Sequence, residues 1–229
     1  MVKHGSVSRS TASAPTGTVH RLKITLEGVK PPLWRRVIVP SHLTLGSLHD
    51  VIQTAFGWGG SHLHDFREPA RRGRRWAPAE YLEDGLTLGL PGEPQDLDEE
   101  AWTLAEALSA ERNTLRYTYD FGDDWRHTVT VEQIRPAGPD DTGRARCTGG
   151  RRAMPYAEDI GGSWVLDIAL ARYAAGERPH GTRHGRGRQA WTEYDDPTDE
   201  LLAEWRAHGF DPAAFDAAET DRQLSHMTL

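Results

Sequence analysis

Alternating apolar and polar residues predict two strands near the start of this chain. Leu22, Ile24 and Leu26 alternate with polar neighbours, which is typical of a half-buried strand. A second strand is predicted over residues 33–39, after the Pro31-Pro32 pair, because proline cannot donate to a sheet ladder. Period two separates its residues into two faces: Trp34, Arg36 and Ile38 on one, and Leu33, Arg35, Val37 and Val39 on the other.

The same alternation predicts a hairpin over residues 115–134, with a tight turn at Gly122. Three carboxylates crowd this reversal, and one histidine follows it. These residues are Asp120, Asp123, Asp124 and His127. From the sequence, the cluster is either a solvated turn or the mouth of a functional site.

Helical spacing predicts a helix over residues 45–56, with Thr44 as its N-cap and Gly57 as its end. His49 lies on the apolar face of that helix. Two interpretations are open: a buried histidine bonded to the backbone, which the pattern favours, or a ligand or proton carrier.

Further elements follow with weaker signals. A strand is predicted over residues 62–66, with His62 and His64 on one face, a spacing at which two histidines can chelate a metal. Residues 147–162 contain four glycines and are predicted to form a loop. Helices are predicted over residues 103–109, 164–173, 198–208 and from Asp211 or Pro212 to about Leu224.

These elements predict an α+β fold with one domain over residues 18–224. Residues 1–17 are rich in Ser, Thr, Ala and Pro and are expected to be a disordered leader, with 225–229 as a tail. Residues 67–101 are expected to be an irregular polar insertion, and 176–189 a flexible loop.

Composition narrows the class of protein. The apolar fraction is 37% and no stretch is apolar enough to span a membrane, so no membrane partner is expected. Cys147 is the single cysteine; no disulfide partner is expected, and a cytoplasmic location is predicted. The net charge of −7 argues against an overall nucleic-acid-binding surface, although arginine clusters locally, as at 71–75.

The motifs resemble those of the plasmid Orf-three-like family, also labelled insertion-element passenger "TnpR-like" proteins. The resemblance covers residues 19–66 and 103–224. It rests on Pro32-Leu33-Trp34-Arg35-Arg36, Leu48-His49 with Gln53, Gly57-Trp58, His62-Leu63-His64-Asp65-Phe66, the run from Tyr119 to His127, Glu158-Asp159-Ile160-Gly161-Gly162 and Phe210-Asp211-Pro212.

This resemblance implies a curved, mainly antiparallel sheet packed by helices, and it implies no established activity. The TnpR-like label suggests site-specific recombination, but the chain has neither an N-terminal serine flanked by arginines nor a C-terminal helix-turn-helix pattern. The family usually has Pro-Pro-Glu-Asp before its Gly-Gly pair, whereas this chain has one additional residue between Pro155 and Glu158.

Two hypotheses of function remain open. The first is a non-catalytic accessory protein of mobile elements that binds an unknown protein or nucleic-acid partner. A cationic and aromatic patch would serve it, with binding residues Trp34, Arg35, Arg36, His62 and His64. The alternative for that patch is a core tryptophan with arginines paired to the hairpin aspartates.

The second hypothesis is a divalent-metal-dependent hydrolase. Asp120, Asp123, Glu158 and Asp159 would hold the cation, with His127 or His62 as ligand or base. No catalytic residue is assigned, the metal is unknown, and no cofactor is otherwise expected. A nucleophilic role for Cys147 beside arginines is disfavoured. The hypotheses differ most over whether His62, His127 and residues 158–159 meet in one cleft.

Overall fold

The computed structural model describes residues 17–70, 73–83, 96–141, 143–155, 158–178 and 197–227. Most of the leader predicted over 1–17 and of the loop predicted over 176–189 therefore lies outside the described residues. None of the described helices has both the length and the apolar character needed to cross a membrane.

Eight strands form one sheet, and six α-helices accompany it in the described residues. The strands are β1 (Thr18–Leu26), β2 (Leu33–Pro40), β3 (His64–Arg67), β4 (Arg75–Ala77), β5 (Leu97–Asp98), β6 (Thr114–Tyr119), β7 (Trp125–Pro136) and β8 (Arg146–Arg151). The helices are α1 (Leu45–Phe56), α2 (Ala79–Glu83), α3 (Leu104–Ala107), α4 (Ser163–Ala174), α5 (Pro197–Ala207) and α6 (Ala217–Ser225).

The strand order is β5-β4-β3-β6-β7-β1-β2-β8. Neighbouring strands are antiparallel except for the β4–β5 pair, so the sheet is mixed and open. The predicted single-domain α+β class is confirmed. Strands β1 and β7, which are far apart in sequence, pair at the centre of the sheet and place the two predicted N-terminal strands beside the predicted hairpin.

The predicted faces of β2 are confirmed. Leu33, Arg35, Val37 and Val39 are buried, whereas Trp34 and its alternating neighbours are partly exposed. The inner face packs against helices α1, α4 and α6 in one core, which includes Leu22, Ile52, Val129, Leu166 and Leu224. Burial of this apolar area is the main stabilising contribution to the fold.

Helix α1 has the predicted bounds and caps. The Thr44 hydroxyl accepts a hydrogen bond from the Ser47 amide, and Gly57 ends the helix with φ 76°. A left-handed residue after the last turn favours glycine because it has no Cβ.

Three predictions about elements are wrong. Residues 146–151 form an edge strand, β8, rather than a loop. Residues 67–101, expected to be irregular, contribute β4, β5, α2 and a 3-10 helix (Glu99–Ala101) in their described part. Helix α6 begins at Ala217, since Asp216 rather than Asp211 or Pro212 caps it.

Candidate functional site

Three segments meet at one end of the sheet, and we call them the loop junction: residues 57–63 after α1, 120–124 between β6 and β7, and 158–162 before α4. The Asp123 carboxylate joins two of the segments, since it accepts hydrogen bonds from the amides of Ile160 at 3.0 Å and Gly161 at 3.0 and 3.1 Å. Asp123 is therefore a structural acceptor in this structure.

Glu158 joins the segment before α4 to the segment after α1. Its Oε1 accepts hydrogen bonds from the Gly59 amide at 2.7 Å and from the Tyr119 hydroxyl at 2.9 Å. Partial burial and the adjacent Glu158 carboxylate raise the pKa of Tyr119. Its hydroxyl therefore stays protonated and donates to Glu158. The sequence pattern identified Tyr119 only as an alternating strand residue and missed this contact.

Three possible metal-ligand residues face one another in the loop junction, and we call them the donor group: His62, Asp120 and Asp159. His62 Nδ1 lies 3.8 Å from Asp120 Oδ2, and His62 Nε2 lies 3.6 Å from Asp159 Oδ1. One donor atom from each residue lies within 4.8 Å of the other two. The side chains are 27%, 11% and 78% exposed, so the group opens to solvent on the Asp159 side.

The turn conformation orients the Asp120 carboxylate. Asp120 has φ 55°, and its Oδ1 accepts hydrogen bonds from the amides of Gly122 at 2.9 Å and Asp123 at 3.3 Å. Its Oδ2 has no hydrogen-bond donor among the described residues and faces His62. Asp124 points elsewhere, because it pairs with Arg126 at 2.8 Å on the sheet surface.

The proposed role of His127 as ligand or base is wrong. Its ring is fully buried, and it packs edge-on against Phe56 at 4.8 Å. Burial lowers its pKa to about 3. His127 shares the inner face with Trp125 and Val129, because alternate residues of a strand point to the same side. It is not part of the group formed by His62, Asp120 and Asp159.

His64 also lies away from the loop junction, in a buried polar cluster. Its Nε2 lies 3.1 Å from both carboxylate oxygens of Glu99, and its ring stacks on His49 at 3.6 Å. His49 is hydrogen-bonded through Nδ1 to the Tyr117 hydroxyl at 2.7 Å, and burial followed by the His64 charge lowers its pKa to about 3. His49 is thus a packed histidine, as favoured, but its partner is a side chain and not the backbone.

The predicted Trp34-Arg35-Arg36 patch is divided by the sheet. Arg35 is buried and donates hydrogen bonds to the carbonyls of Ala55, Trp34, Arg151 and Arg152. Burial lowers its pKa to about 10. Arg35 is therefore a structural residue, and its assignment to a binding surface is wrong.

Trp34 and Arg36 remain on the outer face of the sheet. Arg36 forms two hydrogen bonds to Glu132, at 2.6 and 2.8 Å. The alternative in which Trp34 is a core residue and the arginines pair with the hairpin aspartates is therefore also wrong.

Cys147 lies in β8 and shows no sign of activation. Its side chain is buried, and burial raises the pKa of its thiol despite the nearby Arg35. A raised pKa disfavours the reactive thiolate, in agreement with the disfavoured nucleophilic role.

The family assignment rests on a comparison that spans most of the chain. The model of the "Plasmid pRiA4b ORF-3-like protein" family matches residues 18–219. The chain belongs to this family. The resemblance inferred from the motifs is thereby confirmed.

Two similar proteins have names that state no activity. "Uncharacterized protein y4hQ" of Sinorhizobium fredii (strain NBRC 101917 / NGR234) is 32% identical over 202 residues, which are 82% of this chain and 94% of that protein. The crystal structure of a protein of unknown function, MM3350 from Methanosarcina mazei Go1, matches with a TM-score of 0.64 and 27% identity. That alignment covers 90% of this chain and 97% of the other.

Proposed function

We propose that this protein is a non-catalytic accessory protein that binds a divalent cation at the loop junction. The observation that supports the proposal is the convergence of His62, Asp120 and Asp159, each with one donor atom within 4.8 Å of the others. The three residues belong to three segments of the chain, so a shared cation would connect all of them.

The donor set favours a first-row transition metal. One imidazole nitrogen with two carboxylate oxygens suits ions from Mn²⁺ to Zn²⁺, whereas Ca²⁺ and Mg²⁺ prefer oxygen ligands alone. The two carboxylates balance the charge of the ion. An ion at the centre of donors that are at most 4.8 Å apart would lie no more than about 2.8 Å from each, so bonds of about 2.1 Å need a contraction below 1 Å.

Binding requires one adjustment of the side chains. The two nitrogens of His62 face different carboxylates, and an ion takes only one of them. Asp159 has the room to move, because its side chain is 78% exposed, whereas turn amides fix Asp120.

Titration of metal-free protein with Mn²⁺, followed by the electron paramagnetic resonance signal of the free ion, tests the proposal. We expect one ion per chain, with Zn²⁺ competing and Mg²⁺ or Ca²⁺ competing poorly. His62→Asn and Asp120→Asn should each weaken binding by about tenfold or more. Asp124→Asn is the matched control, because it removes the same charge from the same turn outside the donor group. Absence of binding, or equal loss in the control, would contradict the proposal.

A metal-dependent hydrolase is the second candidate. Three protein ligands leave coordination positions for water, as in catalytic zinc sites, and the exposed Asp159 side faces solvent. The Mn²⁺-loaded protein can be assayed with an activated phosphodiester such as bis(p-nitrophenyl) phosphate. Hydrolysis that Asp120→Asn abolishes would favour this candidate; equal rates for both proteins would favour binding alone.

We also propose a cytoplasmic location and an association with mobile elements. The single cysteine supports the first, because the chain cannot form an internal disulfide. The description of the family as plasmid ORF-3-like supports the second. Fractionation of cells that express the protein tests the location, and recovery in the periplasm would contradict it.

A further inference from the structure

The outer face of the sheet contains a row of side chains that crosses six strands. Cross-strand pairs connect Arg67 with Arg116, Arg116 with Thr128, Thr128 with Thr25, Thr25 with Trp34, and Trp34 with Arg151. We call these six residues the transverse row. Five spacings between neighbouring strands give it a length of about 24 Å.

A second row lies directly beside the first, and its register adds two more cations. Thr130 pairs with Lys23, and Lys23 pairs with Arg36. Together the two rows contain five cations, Arg67, Arg116, Arg151, Lys23 and Arg36, and no carboxylate, whereas the whole chain has a net charge of −7. These two rows are therefore positive although the chain as a whole is acidic.

The carboxylates on this face compensate the cations unequally, and one of them, Glu27, accepts a hydrogen bond from Thr128 of the transverse row at 2.6 Å. Glu132 pairs closely with Arg36, and Asp65 lies 3.4 Å from Arg67. The carboxylate nearest to Arg116 is Glu27, at 4.0 Å. Arg151 is exposed and has no ion pair among the described residues. Among the described residues, Lys23 likewise has no ion pair, whereas Arg67, at the other end of the transverse row, is paired with Asp65.

The register also places like charges opposite one another. Arg67 lies directly across from Arg116, and Lys23 directly across from Arg36. Like charges in such positions destabilise a sheet. Glu132 beside Arg36 and Asp65 beside Arg67 relieve part of this repulsion, and an anion bound along the face would relieve more of it.

Trp34 adds an aromatic surface between the two ends. Lys23 Nζ lies 5.2 Å from the centroid of its ring, and the Arg36 guanidinium carbon lies 4.9 Å from it. Proteins that bind single strands combine cationic grooves with aromatic rings on which bases stack. A duplex offers no unpaired base to such a ring, and an acidic polypeptide offers none either.

We propose that the transverse row binds single-stranded nucleic acid, with phosphates at Arg67 and Arg116 and at Arg151, and a base on Trp34. This site needs no metal and is independent of the cation proposed at the loop junction. It also reconciles the acidic chain with a nucleic-acid partner, because the contact is limited to one cationic face.

Fluorescence anisotropy of labelled oligothymidylate tests this site, in buffer containing EDTA at 50–200 mM salt. We expect wild-type affinity to fall as salt rises. The double variant Arg67→Gln/Arg116→Gln should bind about tenfold or more weaker at 50 mM salt, with a log–log salt slope smaller by about 1.4, since each phosphate contact on a single strand contributes about 0.7. Arg178→Gln/Arg222→Gln removes two exposed arginines outside the row and should leave binding unchanged.

Substitution of Trp34 separates stacking from charge. Trp34→Leu should weaken binding about tenfold with little change in salt slope, whereas Trp34→Phe should retain most of the affinity. Circular dichroism confirms that each variant is folded. No anisotropy change for the wild type, equal loss in the arginine control, or equal affinity for a duplex or for polyglutamate would overturn the inference. His62→Asn should bind the oligonucleotide with wild-type affinity, because His62 lies outside the transverse row. The outcome of this experiment therefore does not depend on whether the cation proposal is correct.

Discussion

His127 is a histidine enclosed by aromatic side chains and strand backbone. Its ring contacts Phe56 and Trp58, and its Nδ1 lies 3.2 Å from the Trp125 carbonyl oxygen. Burial lowers its pKa to about 3, so the ring is neutral in the folded protein at neutral pH. In the unfolded chain an ordinary histidine takes up a proton below about pH 6.5.

This difference predicts a dependence of stability on pH. The contribution of neutral His127 is fully present above about pH 6.5 and is lost as the pH falls, by up to about 1.4 kcal/mol per unit, until the folded pKa of about 3. His127→Leu should therefore flatten the decline in the free energy of unfolding between pH 7 and pH 5. Urea unfolding of both proteins at several pH values measures this decline. If the free energy of unfolding falls equally with pH in both proteins, the prediction is contradicted.

The loop before α4 meets the hairpin turn at a distance that only glycine permits. Gly162 has φ 88°, and a Cβ on it would lie 2.1 Å from the Asp123 carbonyl oxygen. Because that oxygen belongs to the backbone of the turn, it cannot move aside as a flexible side chain would. The spacing of the two segments therefore depends on this missing side chain.

Gly162→Ala should lower the free energy of unfolding and move the loop before α4 away from the hairpin turn. Gly176→Ala is a matched control, since Gly176 has φ 75° and no heavy atom within 4 Å of an added Cβ. The control should lose about 1 kcal/mol from backbone strain alone, and Gly162→Ala should lose at least about 2 kcal/mol more. Unfolding by urea measures both, and equal losses would show that the close approach has no energetic weight.

The glycines of β8 show why the sequence pattern did not predict this strand. The pattern gave α1 with its caps, because apolar spacing, Thr44 and Gly57 are local signals. It does not predict β8, because the glycines of this segment are typical of a loop. A Cβ on Gly150 would lie 2.4 Å from the Phe215 ring, so this glycine serves packing against a residue 65 positions away. No local pattern contains that contact.

At the scale of the molecule, the sequence identified most members of the candidate site but not their grouping. Asp120, Asp159 and His62 were all candidates, yet so was His127, which the strand periodicity placed in phase with core residues. Which of them meet depends on the pairing of β3 with β6, which sets His64 opposite Tyr119 and brings His62 beside the turn. Such long-range pairing is not encoded in the spacing of any single motif.

Cation binding at the loop junction should consequently stabilise the whole molecule, because its three ligands belong to segments that separate on unfolding. A ligand at about 100 times its dissociation constant adds about 2.7 kcal/mol to the free energy of unfolding. For a chain of this size that is a rise of about 5–10 °C in Tm. Thermal unfolding followed by circular dichroism with and without Zn²⁺ or Mn²⁺ measures the shift, and Asp124→Asn should show it in full. His62→Asn should lose it, and an equal shift in that variant would mean that the ions bind at other histidines.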